Sequence, residues 1–124
     1  MADHDFSDRR RNKRYSVEKG VLVAPDANVR RLWQVLDIGK GGLAFRYVSD
    51  DGELTTSSEL DIVTGDTHFL LERIPFKSIS DFELSDDPVS KRKVRRRGVQ
   101  FGDLNDTQVR QLEYLICSHI VGEA

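Results

Sequence analysis

Asp37-Ile38-Gly39-Lys40-Gly41-Gly42 is the stretch on which the reading of this chain turns. Leu32-Trp33-Gln34-Val35-Leu36 before it reads as a strand, and Leu43-Ala44-Phe45-Arg46-Tyr47-Val48 after it reads as a second one. Between them lie three glycines in four residues and one acid. Glycine accepts backbone conformations closed to other residues and lets another backbone or a ligand approach closely. The stretch is therefore either a tight hairpin turn or a binding loop. A second cluster upstream, Arg9-Arg10-Arg11-Asn12-Lys13-Arg14, bears on that choice.

Composition narrows the field around these two clusters. The chain has 124 residues, enough for one domain with a single modest core. No apolar run approaches the ~20 residues needed to span a bilayer, and the polar, acidic start Met1-Ala2-Asp3-His4-Asp5 is unlike a signal peptide. One cysteine, Cys117, allows no internal disulfide and suits a reducing cytoplasm. The net charge is only −2, yet eleven of the nineteen Lys and Arg lie in two short runs, residues 9–14 and 91–97. Local positive potential in a near-neutral protein suits a discrete anion better than a long polyanion.

Outward from the glycine loop, the chain reads as short strands divided by turns. Residues 1–13 have little to bury and read as a flexible basic arm, followed by a single domain over 14–124. Tyr15, Val17, Val21 and Val23 mark a strand from Arg14 to Ala24, broken at Gly20. A second strand runs from about Arg30 to Leu36 and a third from Leu43 to Val48, and Leu60, Ile62 and Val63 mark a fourth. Phe69 to Leu84 reads as a strand interrupted at Pro75, and Lys91 to Phe101 as another, with Val94, Val99 and Phe101 as its apolar marks. Short strands at this spacing, with no helices between them, predict an antiparallel barrel or sandwich. One helix follows, with Asn105 or Asp106 as its cap. Asn105-Asp106-Thr107-Gln108 has capping-box spacing, Val109, Leu112, Leu115, Ile116 and Ile120 form one apolar face, and Gly122 is its stop. Trp33 reads as core, and Cys117 as packed within the helix.

The two clusters together resemble the PilZ domain family, bacterial receptors for the second messenger cyclic di-GMP. That family carries Arg-x-x-x-Arg at its N-terminal edge and (Asp/Asn)-x-Ser-x-x-Gly a few tens of residues later. Arg10 and Arg14 stand at the first motif, with Tyr15 as the large residue that enters the first strand. Asp37 and Gly42 match the ends of the second motif, while Gly39 occupies the serine position. Gly98-Val99-Gln100-Phe101 and the helix after it look like the end of the family's fold, so the likeness runs from about Arg9 to Ile120. The resemblance implies a mostly β fold: a six-stranded antiparallel split barrel with a C-terminal helix. It implies a stand-alone receptor that changes conformation on binding nucleotide and signals to an effector protein. The processes it implies are motility, biofilm formation or exopolysaccharide output.

In that reading, Arg10 and Arg14 pair with phosphates or guanine edges, on an arm that folds over the ligand. Asp37 accepts from guanine N1–H and the exocyclic amine, and the Gly39–Gly41–Gly42 loop lets the backbone approach. At Gly39 the serine hydroxyl is absent or replaced by the backbone N–H, a loss of roughly 0.5–1.5 kcal/mol. Arg9, directly before the first motif, accompanies binding of two stacked cyclic di-GMP molecules in the family rather than one. The expected ligand set is thus Arg9, Arg10, Arg14, Asp37, Gly39, Gly41 and Gly42, with no metal and no cofactor beyond the nucleotide.

The same residues leave two other readings. Gly39 suits a PilZ-like interaction module that binds no nucleotide. The run Lys91-Arg92-Lys93-Val94-Arg95-Arg96-Arg97 suits a basic nucleic-acid-binding barrel, although it lacks the interleaved aromatics that stack on single strands. Strand alternation puts Arg95 and Arg97 on one face and Arg96 on the other, with a supporting role open to Arg95 or Arg97. Nothing argues for catalysis: His4, His68 and His119 share no ligand spacing, and Cys117 has no activating base nearby.

Overall fold

Antiparallel pairing joins the described strands into one sheet, and one extra pairing closes it. The computed structural model describes residues 13–25, 32–48, 59–65, 68–86 and 93–124. Its strands are β1 (Tyr15–Val17), β2 (Val21–Pro25), β3 (Trp33–Ile38), β4 (Gly42–Val48), β5 (Glu59–Thr64), β6 (Phe69–Asp86), β7 (Lys93–Phe101) and β8 (Ile120–Glu123). Helix α1 (Asp106–Ser118) lies between β7 and β8. The strand order is β2-β5-β6-β7-β4-β3-β1-β8, and β2 also pairs with β3. Six strands therefore form a closed antiparallel barrel, the one of the two architectures left open by the strand pattern that the family resemblance implies, with β1 and β8 as a flap on β3.

That flap exists because β3 is shared. Its first half pairs with β2 through Leu22↔Gln34 and Val23↔Trp33. Its second half pairs with β1 through Tyr15↔Ile38 and Ser16↔Asp37. Both partners run along the same edge of β3, as expected of one strand broken at Gly20. The break is where the sheet forks: beyond it β2 takes β5 as its outer neighbour and β1 takes β8.

Strand β6 is longer and more continuous than the sequence suggests. It runs unbroken through Pro75, which pairs with Glu59, the first residue of β5, while Phe76 already pairs with Phe101 of β7. Proline is tolerated there because it stands where one partner strand hands over to the next. Nearby, Arg73 holds a left-handed φ of 58° where the β5–β6 register shifts, a strained conformation for a residue with a side chain. The Arg73 N–H donates to the buried carboxylate of Asp61 at 2.7 Å, and Gln108 Nε2 donates to the carbonyls of Glu72 and Arg73. These bonds offset the strain.

Trp33, Phe45 and Tyr47 form an aromatic cluster in the core, with Trp33 stacked on Phe45 at a centroid distance of 5.6 Å. Helix α1 adds Leu112 and Leu115 to the core. Asn105 caps it in a complete capping box with Gln108, each side chain bonding the other's backbone N–H. The helix stops earlier than the periodicity implies. It ends at Ser118, and Ile120 to Glu123 leave the helical face to pair with β1. An exposed β1 edge and the β-branched pair Ile120-Val121 favour strand there. Two further expectations fail on this helix: Cys117 is exposed, not packed, and Val109 is also exposed.

At the end of the barrel where β4 finishes and β7 begins, Asp81 gathers three donors. It accepts from Tyr47 Oη at 2.5 Å, from Arg95 Nε at 2.7 Å, and from Arg97 through Nη2 at 2.7 Å and Nε at 2.9 Å. The Arg97 guanidinium also lies over the Tyr47 ring. Burial acts to raise the Asp81 pKa, but the hydrogen bonds from Tyr47, Arg95 and Arg97 outweigh it and hold the carboxyl below its ordinary value. The Tyr47 phenol is pushed up, first by burial and then by its bond to Asp81.

Two outcomes follow for stability. Asn105→Ala removes the cap and lowers stability by about 1 kcal/mol, or about 3–6 °C in Tm by thermal melting. Because the folded-state pKa of Asp81 is depressed, its stabilisation is present above the unfolded value of about 3.9 and is lost as pH falls through the folded value. Asp81→Asn therefore costs about 1–2 kcal/mol at pH 7, the low end because the carboxylate is partly solvated. In urea melts the difference from the wild type shrinks below about pH 4; an equal difference at pH 3 and pH 7 contradicts the assignment.

Candidate functional site

The glycine stretch is a hairpin, and its glycines have separate jobs. Gly39 N–H donates to the Gly42 carbonyl at 2.8 Å, which turns the chain over the exposed Lys40 and Gly41. The Gly39 N–H is thus engaged within the turn and does not stand in for a serine hydroxyl, contrary to the alternative raised from the sequence. A side chain on Gly42 would overlap the Val99 carbonyl of β7, so this glycine provides room for strand packing and not a left-handed turn. The Gly41 carbonyl accepts from Phe101 N–H at 2.9 Å and ties the hairpin to the same strand. Gly39 faces the other way: the Lys13 carbonyl fills the space where a side chain would stand.

Asp37 lies one residue before the end of β3, on the face opposite the core, and is 8% exposed. Its Oδ1 accepts from Arg14 Nη1 at 2.7 Å and its Oδ2 from Arg96 Nη2 at 3.0 Å. Each oxygen of a carboxylate can accept twice, so two acceptor positions are left after both arginines are counted. The two guanidiniums and one carboxylate leave the cluster with one excess positive charge. On either side of Asp37 in its row stand the small residues Ser16, Ala44, Gly98 and Ser80, which with Asp37 lie opposite one another on five neighbouring strands. In the next row Arg46, Arg96 and Phe82 are neighbours, with the Arg96 guanidinium 5.7 Å from the centre of the Phe82 ring. Phe82 and Ile79 expose about half of their surface, at 47% and 56%. A sheet face with an exposed ring, guanidinium groups and a carboxylate suits a planar ligand that carries both negative charge and N–H donors.

Of the residues expected from the sequence, Arg14, Asp37 and Gly39 come together here. Gly41 and Gly42 serve the hairpin's packing, and Arg9 and Arg10 lie outside the described residues. Arg14 does not sit on a loose arm, as the sequence reading had it. It directly precedes β1, which is paired on both edges, to β3 and to β8, and its side chain is already on Asp37. Arg96 and Phe82 are additions the sequence reading missed. Alternation did separate Arg96 from Arg95 and Arg97, but nothing in the sequence tells which of the two faces meets Asp37. Of the three arginines considered on this strand, it is Arg96 that meets Asp37, because Arg95 and Arg97 turn toward Asp81 on the core side.

A concavity of about 510 Å³ beside the start of α1 is lined by Glu59, Glu72, Asp103 and Gln108, with Arg73 among them, and its acidic rim disfavours phosphate. Among the described residues no group of three His, Cys, Asp or Glu side chains is placed to hold a metal ion, and no helix is long and apolar enough to cross a membrane.

No protein-family model and no curated protein matches the chain. Solved structures do match. The PilZ domain of YcgR from Escherichia coli with cyclic di-GMP superposes with a TM-score of 0.60 at 17% identity, over 90% of this chain and 91% of that one. MrkH from K. pneumonia, in complex with cyclic di-GMP, gives 0.63 at 15% identity over 89% of this chain. YcgR from E. coli in complex with cyclic di-GMP gives 0.57 at 18% identity over 89% of this chain. The matches cover 52% of the MrkH chain and 45% of the latter YcgR chain. The closed barrel with its C-terminal helix, together with these superpositions over nine-tenths of the chain, makes this protein a PilZ-like domain by fold.

Proposed function

We propose that this chain is a cyclic di-GMP receptor that reports nucleotide binding to a separate effector protein. The observation that carries the reading is Asp37 held between Arg14 and Arg96 on the sheet face that exposes Phe82. A cyclic dinucleotide offers two phosphates and two guanine edges. Arg14 supplies fixed positive charge to a phosphate, and Arg9 and Arg10 extend that charge along the chain. The two remaining acceptor positions of Asp37 match guanine N1–H and the exocyclic amine, a donor pair that adenine lacks. Phe82 and the Arg96 guanidinium offer faces on which a purine stacks. That the similar domains of YcgR and MrkH were solved with cyclic di-GMP supports the same ligand here.

These groups bind and orient, and the proposal is a receptor and not an enzyme. Arg9 favours two stacked nucleotides per chain. The processes proposed are motility, biofilm formation or exopolysaccharide output, in the cytoplasm. The rival in which the chain is an interaction module without nucleotide draws on Gly39, which lacks a hydroxyl and uses its N–H in the turn. The nucleic-acid rival is weaker. Lys93, Arg95, Arg96 and Arg97 each meet an acid, at Glu83, Asp81, Asp37 and Asp81 respectively, so the described part of the basic run is not an open cationic strip.

Calorimetric titration of cyclic di-GMP into the full chain, with GMP and cyclic di-AMP as controls, tests the reading. Expected are micromolar or tighter affinity, one or two ligands per chain, and no response to the controls. Arg14→Ala and Asp37→Asn each weaken binding by about 10- to 100-fold, the equivalent of one charged hydrogen bond. If two ligands bind, Arg9→Ala brings the stoichiometry toward one. Absence of heat, with unchanged amide shifts around Asp37, overturns the proposal and turns attention to protein partners.

A further inference from the structure

We infer that Gly39 is the positioning residue of this site: its missing side chain is the seat in which Lys13 lies, and that seat sets Arg14 against Asp37. The inference rests on the receptor reading above for its link to ligand, but its structural part stands without it. A Cβ built on Gly39 overlaps the Lys13 carbonyl oxygen and stands 3.4 Å from the Lys13 carbonyl carbon and 3.1 Å from Arg14 Cδ. The first of these atoms is backbone, so no rotamer change relieves the overlap, and the Lys13–Arg14 segment itself has to move.

That segment has little room to move. On one side Tyr15 pairs with Ile38 of β3. On the other, Ala124 N–H donates to the Arg14 carbonyl at 3.0 Å, Tyr15 pairs with Glu123, and Lys13 Nζ meets Glu123 Oε2 at 3.0 Å. A side chain at position 39 therefore lifts Arg14 away from Asp37 Oδ1 or parts β1 from β8. The Gly39 backbone is not in the left-handed region, so alanine and serine are conformationally acceptable in the hairpin. Their effect then falls on β1 and Arg14, not on the turn. Serine at 39 brings a hydroxyl but displaces the arginine, so it weakens ligand binding in this chain instead of strengthening it.

The test uses Gly39→Ala and Gly39→Ser in the full chain, with Lys40→Ala in the same turn as control. Without ligand, hydrogen exchange at the Ala124 amide and the NMR signal of the Arg14 guanidinium report whether β1 stays seated. Expected are cooperative unfolding, at least tenfold faster exchange at Ala124 and a shifted Arg14 signal in both glycine variants, with Lys40→Ala unchanged. With cyclic di-GMP, both variants lose at least tenfold in affinity, and Gly39→Ala adds nothing further in an Arg14→Ala background, since both changes remove the same contact. Unchanged Ala124 exchange and Arg14 signal overturn the inference, as do additive losses, tighter binding by Gly39→Ser, or global unfolding of Gly39→Ala. Wild-type protein that binds no nucleotide defeats the receptor reading alone, because the ligand-free measurements still decide whether Gly39 seats Arg14.

Discussion

Strand β3 is hydrogen-bonded along one edge to two different strands, and the rest of the molecule follows from that division. The half that pairs with β2 closes the barrel. The half that pairs with β1 lies beyond the closure, where the sheet continues as a flap to β8. Asp37 belongs to the second half. Its side chain points away from the core, and its neighbours on the outer face come from β1, β4 and β7 and from Arg14. Had β3 paired with β2 throughout, β1 would not lie beside Asp37 to bring Arg14 to that carboxylate. The site is therefore a product of how the barrel closes.

Electrostatics follows the same two-sidedness. Arg95, Arg96 and Arg97 are consecutive on β7, and the pleat sends them to opposite faces. Arg95 and Arg97 share Asp81 and Tyr47 on the core side at the barrel's end, while Arg96 shares Asp37 with Arg14 outside. Each carboxylate thus serves two guanidiniums and orders side chains that would otherwise repel. On the core side this holds the barrel's end together. On the outer side it fixes two arginines in advance, the preorganisation that the proposed nucleotide binding would draw on.

Glycine 39 shows why an isolated motif comparison misleads. Judged by the motif, it is a missing hydroxyl. Judged by its surroundings, it is the space taken by the Lys13 backbone, from a segment more than twenty residues earlier in the chain and held in place by the last residues described. Both statements concern the same atom position, and only the second depends on residues brought together by folding.

Several features were legible in the sequence by itself because their causes are local. The alternation of Trp33 with Val35 and of Leu43 with Phe45 and Tyr47 marks strands, the Asn105–Gln108 capping box starts the helix, and the Asp37–Gly42 turn makes the hairpin. The family resemblance added the six-strand barrel and brought Asp37 and the upstream basic cluster to one site, but not the direct Arg14–Asp37 ion pair. The tertiary structure decided what depends on neighbours distant in the chain. Periodicity carried the helix on to Ile120, yet the open edge of β1 drew Ile120–Glu123 into a strand. Alternation split the arginines of β7 into two faces, yet only strand order placed Arg96 and Phe82 beside Asp37. Local pattern determines which residues share a face; which faces meet is set by long-range pairing and by the room left at Gly39 and Gly42.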